Sequence, residues 1–192
     1  MGKTLKLVVC GSKGCGKTSI LEQLIYCNYS NSTSSKPQFP HTIEDTYVAH
    51  IESERGVKEK VRFYEIGGSS DIKSVSIPKH FVVGADAFVL VYDTTDLGSL
   101  SYLDAVKREI EKNKDRKDVL LFLLLGNKKD LDASSRTSEL AAKFVNKERI
   151  FRHFSVTVQD RQSLIDAFVA ITTKITTPPS KSGFPFVKKD PK

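Results

Sequence analysis

Apolar residues fall in two rhythms along this chain. Leu5 to Cys10 is a short, nearly unbroken apolar run; Ile20, Leu21, Leu24 and Ile25 then follow at helical spacing. The pattern predicts a buried strand feeding an amphipathic helix that opens at Thr18. Residues Asn28 to Gln38 are small and polar without any period, and predict a loop. Thr46–Ser53 and Val57–Ile66 read as two strands of a hairpin joined at Glu54-Arg55-Gly56. Gly67 to Pro78 predicts a second loop, whose proline would stop any helix inside it. Ala87–Tyr92 is a buried-type strand, and Ser99–Asn113 a helix through Leu100, Leu103, Val106 and Ile110, with Ser99 as its N-cap. Val119–Leu125 reads as the most buried strand, closed by the polar turn Gly126-Asn127-Lys128-Lys129-Asp130. A helix near Ser138–Lys147, a strand near Ile150–Val156 and a last helix from about Ser163 to Ile175 complete the set. Strands alternating with helices predict an α/β fold: a mostly parallel six-stranded sheet, helices on both faces, one antiparallel edge strand. Ligands of such sheets lie at the carboxyl ends of the strands. Residues 1–176 form the expected domain; the Pro-, Ser- and Lys-rich residues 177–192 read as a flexible basic tail.

Chemistry enters at the first strand–helix junction. Gly11-Ser12-Lys13-Gly14-Cys15-Gly16-Lys17-Thr18 fits G-x-x-x-x-G-K-[ST], and Ser19 continues into the helix. Glycines let the loop turn its backbone N–H groups inward around phosphates, and the helix that follows offers its unpaired first-turn N–H groups. Lys17 is placed for the β- and γ-phosphates, and the Thr18 hydroxyl for Mg²⁺.

Composition changes this picture little. At 192 residues with 39% hydrophobic and 28% charged, the chain is an ordinary single domain able to bury a core. The net charge of +7 favours anionic company, but without an aromatic-interleaved basic stripe it predicts no nucleic-acid role. Cys10, Cys15 and Cys27 show neither disulfide nor zinc spacing, which points to a reduced, cytoplasmic setting. His41, His50, His80 and His153 are scattered and read as ordinary histidines. The longest apolar run is too short to cross a bilayer, and neither a prenylation cysteine nor a myristoylation serine or threonine is present. The expectation is a protein with no stable membrane anchor, monomeric when free.

The base is read elsewhere, by Asn127-Lys128-x-Asp130 directly after a buried strand. A carboxylate there accepts from both N1–H and the exocyclic amine of guanine, whereas adenine would leave Asp130 unpaired. Lys128 can lie along the base, and the Asn127 amide can tie this loop to the phosphate loop.

On these two motifs the chain resembles the Ras-like small GTPases over roughly residues 4–176. The resemblance implies a P-loop small-GTPase fold, GTP and GDP as ligands, and Mg²⁺. It also implies a first switch at His41-Thr42-Ile43-Glu44-Asp45-Thr46-Tyr47, with Thr42 completing the Mg²⁺ shell and Ile43, Glu44, Asp45 and Tyr47 on the effector surface. Tyr29 would lean on the guanine edge, and Thr157 and Val158 would meet the base through backbone N–H groups. Asp-x-x-Gly of the family stands here as Glu65-Ile66-Gly67-Gly68. Glu65 would hold Mg²⁺ through water, and Gly68 would offer its N–H to the γ-phosphate. No residue is assigned as catalytic: Ser69 replaces the water-orienting glutamine, and Lys13 stands where the family has a second glycine. Loss of glutamine positioning and of arginine-finger access implies slow hydrolysis, since the finger alone is worth roughly 10³–10⁵-fold in this class. The opposite reading, in which the Lys13 ammonium itself neutralises γ-phosphate charge, stays open.

Within the family the chain is similar to the κB-Ras group, the NF-κB-inhibitor-interacting Ras-like proteins. The similar stretches include Ile20-Leu21-Glu22-Gln23-Leu24, Arg55-Gly56-Val57-Lys58-Glu59 and Pro78-Lys79-His80-Phe81. That resemblance implies binding to IκB-type ankyrin-repeat inhibitors, restraint of their degradation, and association with the Ral GAP complex. Two functional classes follow: a regulatory GTP-binding protein acting through its switches, or a scaffold whose guanine nucleotide is a structural cofactor. An ATP-using P-loop enzyme is disfavoured by Asp130.

Overall fold

The elements follow one another as β1 (Leu5–Gly11), α1 (Lys17–Tyr26), β2 (Glu44–Glu52), β3 (Lys58–Ile66), α2 (Lys79–Gly84), β4 (Ala87–Asp93), α3 (Leu97–Asn113), β5 (Phe122–Asn127), α4 (Arg136–Glu148), β6 (Arg152–Ser155) and α5 (Arg161–Thr176). The computed structural model describes residues 3–29, 39–113, 120–132, 136–148 and 150–177. All six strands join one sheet in the order β2-β3-β1-β4-β5-β6. Every neighbouring pair is parallel except β2–β3, which makes β2 the one antiparallel strand and an edge. The mostly parallel six-stranded sheet with one antiparallel edge strand expected from the sequence is therefore present.

Burial explains the two strand patterns. Every residue of β4 and β5 is buried, because helices cover both faces of the sheet there, and these strands read as continuous apolar runs. Edge strand β2 instead alternates, with Tyr47 and Ile51 inward and their neighbours exposed. On one face, Leu7, Val9, Phe63 and Val89 pack against Ile20 and Leu21 of α1 and Leu164, Phe168 and Ile171 of α5. On the other, Val8, Phe88, Leu90 and Tyr92 meet Val82 of α2, Leu103, Val106 and Ile110 of α3, and Phe144 of α4.

Several boundaries differ from the sequence reading. β2 starts two residues earlier, at Glu44, because the antiparallel ladder with β3 runs on to the pair Glu44↔Ile66. β5 includes Gly126 and Asn127, which were read as turn; both continue the ladder with β4, opposite Tyr92 and Asp93. Ser99 is not the cap of α3. The helix begins at Leu97, and Ser99 is buried in its first turn with its hydroxyl on the Asp93 and Asp96 carbonyls. α2 was not foreseen: the loop before it contains only a 3₁₀ turn at Ile72–Ser74, and Pro78 starts the helix instead of merely ending the loop. Of the expected first-switch loop, residues 30–38 lie outside the described residues, as do Val119 and the tail from 178 onward.

Candidate functional site

The carboxyl ends of β1, β3 and β5 place three loops around one long cleft. Its phosphate end, about 280 Å³, is walled by Lys13, Lys17, Thr18, Thr42, Glu65 and Gly68. Gly14 and Gly16 hold φ of +79° and +96°, dihedrals that side chains resist. Gly16 is doubly constrained, since a Cβ there would lie 2.2 Å from the Asn127 Nδ2. Lys17 is buried, and its ammonium donates to the carbonyls of Gly11 and Ser12, both at 3.1 Å, inside the bend of the loop. Ser12 and Cys15 are buried beneath it, while Lys13 projects outward from it. Burial pushes the Cys10 thiol up to about 12 and raises Cys15 as well, so both are packing groups rather than reactive thiols.

Beside Lys17 the three residues expected around a cation come together. Thr18 Oγ1 donates to Glu65 Oε1 at 2.6 Å and lies 3.0 Å from Thr42 Oγ1. Glu65 is only 1% exposed, and its other oxygen is buried without a partner. Burial raises its pKa, against the opposing pull of the Thr18 hydroxyl and the Lys17 charge. An orphaned buried carboxylate oxygen among hydroxyls is a hard-donor set suited to Mg²⁺. One carboxylate and two hydroxyls are too few for a divalent ion alone, so waters and phosphate oxygens would complete its shell.

The base end, about 310 Å³, is lined by Tyr29, Asn127, Lys128, Asp130, Thr157 and Val158, and shares Gly14, Gly16 and Ser19 with the phosphate end. The Asn127 amide donates to the Cys15 carbonyl at 2.9 Å, and Lys128 donates to the Gly14 carbonyl at 3.0 Å. Lys128 takes φ +65°, unusual for a side-chain-bearing residue, and is held there by an ion pair with Asp93 at 2.5 Å. Burial would raise Asp93, but the hydrogen bonds from Lys128 and Thr95 outweigh it and leave its pKa below the usual value.

Thr157 and Val158 line the cleft as the sequence placed them, yet the prominent contact at Thr157 is its side chain. Its hydroxyl donates to Asp130 Oδ1 at 2.6 Å, and the Gln159 amide donates to Oδ2 at 3.1 Å. Both carboxylate oxygens are thereby oriented across the base end. The sequence reading missed Asp93 as a site residue, and it set Gln159 in the base-contacting turn Thr157-Val158-Gln159 through backbone groups alone, without its side-chain hold on Asp130; an acid at the carboxyl end of a buried strand was the available signal for Asp93.

The two switch segments touch each other and the phosphate loop. Gly67 N–H donates to the Ile43 carbonyl at 2.7 Å, and Lys13 N–H to the Ser69 carbonyl at 3.2 Å. Gly68 lies so close that a Cβ would stand 2.1 Å from the Gly11 carbonyl oxygen. Ser69 N–H donates to the Tyr102 hydroxyl of α3, and its own hydroxyl accepts from Asp71 N–H. Ile43, Glu44 and Asp45 are exposed at the start of β2. Tyr47, expected on the same surface, is not on it. Strand alternation turns its ring inward, where it is 6% exposed and meets the Tyr26 ring at 6.3 Å.

Residues 6–177 match the Ras family. The human NF-kappa-B inhibitor-interacting Ras-like protein 2 is 42% identical over 190 residues, covering 99% of this chain and 96% of that protein. Its chicken (Gallus gallus) counterpart shows the same identity and coverage. The human NF-kappa-B inhibitor-interacting Ras-like protein 1 is 41% identical over 186 residues, 96% of this chain and 93% of its own length.

Proposed function

This chain belongs to the Ras family, and from that premise we propose that it is a guanine-nucleotide-binding regulator with slow GTP hydrolysis. In this reading the loop Gly11–Thr18 and Lys17 take the phosphates, Asp130 pairs with the guanine edge, and Tyr29, Asn127 and Lys128 flank the ring. Thr18, Thr42 and Glu65 would hold Mg²⁺, Glu65 through water, and the ion would supply neutralisation of phosphate charge. Gly68 N–H faces the γ-phosphate. Residues 1–176 act as one nucleotide-binding unit.

Slow turnover rests on one observation. Ser69 stands at the head of the second switch with its hydroxyl turned to Asp71 N–H, and it is too short to hold a water in line. Lys13 lines the same end of the cleft and crowds any arginine approaching from outside. Single-turnover hydrolysis tests this directly. The rate should fall well below that of an ordinary Ras protein, and Lys13→Gly with Ser69→Gln should raise it. An ordinary rate in the unaltered protein, or no gain in the double variant, rejects the mechanism.

The names of these relatives extend the reading to a partner, an inhibitor of NF-κB; that this inhibitor is of the IκB ankyrin-repeat type, and that its degradation is restrained by this protein, belongs to the proposal on resemblance. Association with the Ral GAP complex, a cytoplasmic setting and a monomeric free state complete the proposal on resemblance alone. Among the described residues no helix is long and apolar enough to cross a membrane. A scaffold reading has one observation in its favour. The bond Gly67–Ile43 joins the two switches, and Lys13–Ser69 joins the second switch to the phosphate loop, through backbone groups that need no γ-phosphate. Capture of the inhibitor by GDP-loaded and GTP-analogue-loaded protein separates the two readings: equal capture supports the scaffold.

A further inference from the structure

Away from the nucleotide cleft, a groove of about 200 Å³ opens between α1, β2 and α5. Its walls are Leu24 of α1, Ala49 and Ile51 of β2, and Ile165, Phe168 and Val169 of α5. An apolar cavity of about 150 Å³ takes a benzene ring, so this groove has room for one aromatic side chain. It lies along the edge of the sheet, where among the described residues β2 has no further strand to cover it.

We propose that the groove seats this chain's own C-terminal segment Phe184-Pro185-Phe186-Val187. The exit of the chain places that segment within reach. Glu54 N–H donates to the Thr173 hydroxyl at 2.9 Å and Arg55 to the Thr176 carbonyl at 2.8 Å, which pins the end of α5 to the β2–β3 turn. Thr177 leaves that point exposed and extended, at φ −79° and ψ 121°. From Thr177 back to Val169 along α5 is about 12 Å at the rise of a helix. The chain from Thr177 to Phe184 spans up to about 23 Å. That length allows the extended Pro178-Pro179, a reversal over Ser180-Lys181-Ser182-Gly183, and a return along the groove.

Composition selects this segment. Residues 178–192 are polar, charged, glycine or proline except for this one cluster, whose two phenylalanines would otherwise stand in water. Its flanking lysines, Lys181, Lys188 and Lys189, match the acid on the rim: Glu52 lines the groove and Glu54 is exposed beside it. Two basic residues also line the groove, His50 and Arg161, and the Arg161 guanidinium is already turned inward, donating to the Gln23 and Leu24 carbonyls at the end of α1. Seated there, the segment bridges α1 and β2, the two elements that bracket the first-switch loop.

The test uses the full chain with Cys27→Ser, the exposed thiol, and a nitroxide on Lys189→Cys; Cys10 and Cys15 are buried. Amide signals of residues 49–52 and 165–169 should broaden at low protein concentration and stay broadened on dilution. Phe184→Ser with Phe186→Ser should restore them. Sharp signals in the labelled chain overturn the proposal, as does broadening that survives both serine substitutions. Broadening that fades on dilution also overturns it, and gives the groove to a second copy.

Discussion

Glu65 carries a cost that only a cation relieves. One oxygen accepts from Thr18 and the other is buried with no partner, in a residue 1% exposed. Replacing it by a neutral amide of the same shape removes the buried charge. Glu65→Gln should therefore stabilise the nucleotide-free protein by about 1–3 kcal/mol while lowering Mg²⁺-supported nucleotide retention roughly 10–100-fold. Melting without nucleotide and release of fluorescent GDP across a Mg²⁺ titration check the two halves, and lower stability in the first would refute the account of Glu65. Residues of this kind were readable in the sequence because the chemistry fixes their type: Lys17, Thr18, Asn127 and Asp130 sit at set distances from strand ends. Asp93 and the side chain of Gln159 were not, because their roles depend on which loops the sheet order brings together. Asp93 on β4 reaches Lys128 after β5 only since those strands are neighbours.

Elements were legible where they carry a full apolar face, and α2 escaped because six residues with one buried side chain, Val82, leave no period to count. Contacts running across strands were equally invisible. Tyr92 on β4 lies over Gly126 on β5, where a Cβ would stand 2.5 Å from the tyrosine oxygen, and its hydroxyl reaches His153 Nε2 on β6 at 3.0 Å. This stitch across three strands sets a pH dependence. Burial lowers the His153 pKa in the folded protein, so below about 6.5 the unfolded chain binds more protons than the folded one. Stability should be full above that value and fall as pH drops below it. His153→Gln keeps an acceptor for the Tyr92 hydroxyl without a proton to gain. The fall in melting temperature between about pH 7.5 and pH 5.5 should therefore shrink in this variant. An unchanged fall would assign the acid sensitivity to other groups.

At the scale of the whole molecule, the cleft joins parts of the chain that are otherwise far apart. Asn127 and Lys128 hold the base loop against Cys15 and Gly14 across more than a hundred residues, and Gly68 rests on the phosphate loop from a third direction. A ligand touching all three loops is coupled to global unfolding, because the site exists only when β3, β1 and β5 are held in register, the last through β4. Binding to the folded state alone contributes about 2.7 kcal/mol at a hundredfold excess over Kd. For a chain of this size that amounts to roughly 5–10 °C in Tm. GDP with Mg²⁺ should produce such a shift and a chelator should remove most of it, since Glu65, Thr18 and Thr42 then lose their cation. ADP should produce almost none, because an adenine edge leaves Asp130 facing no pair of donors even though the phosphates fit equally well. Equal shifts with ADP and GDP would mean that the phosphate loop alone does the binding and that the Asp130 carboxylate, held by Thr157 and Gln159, reads no base.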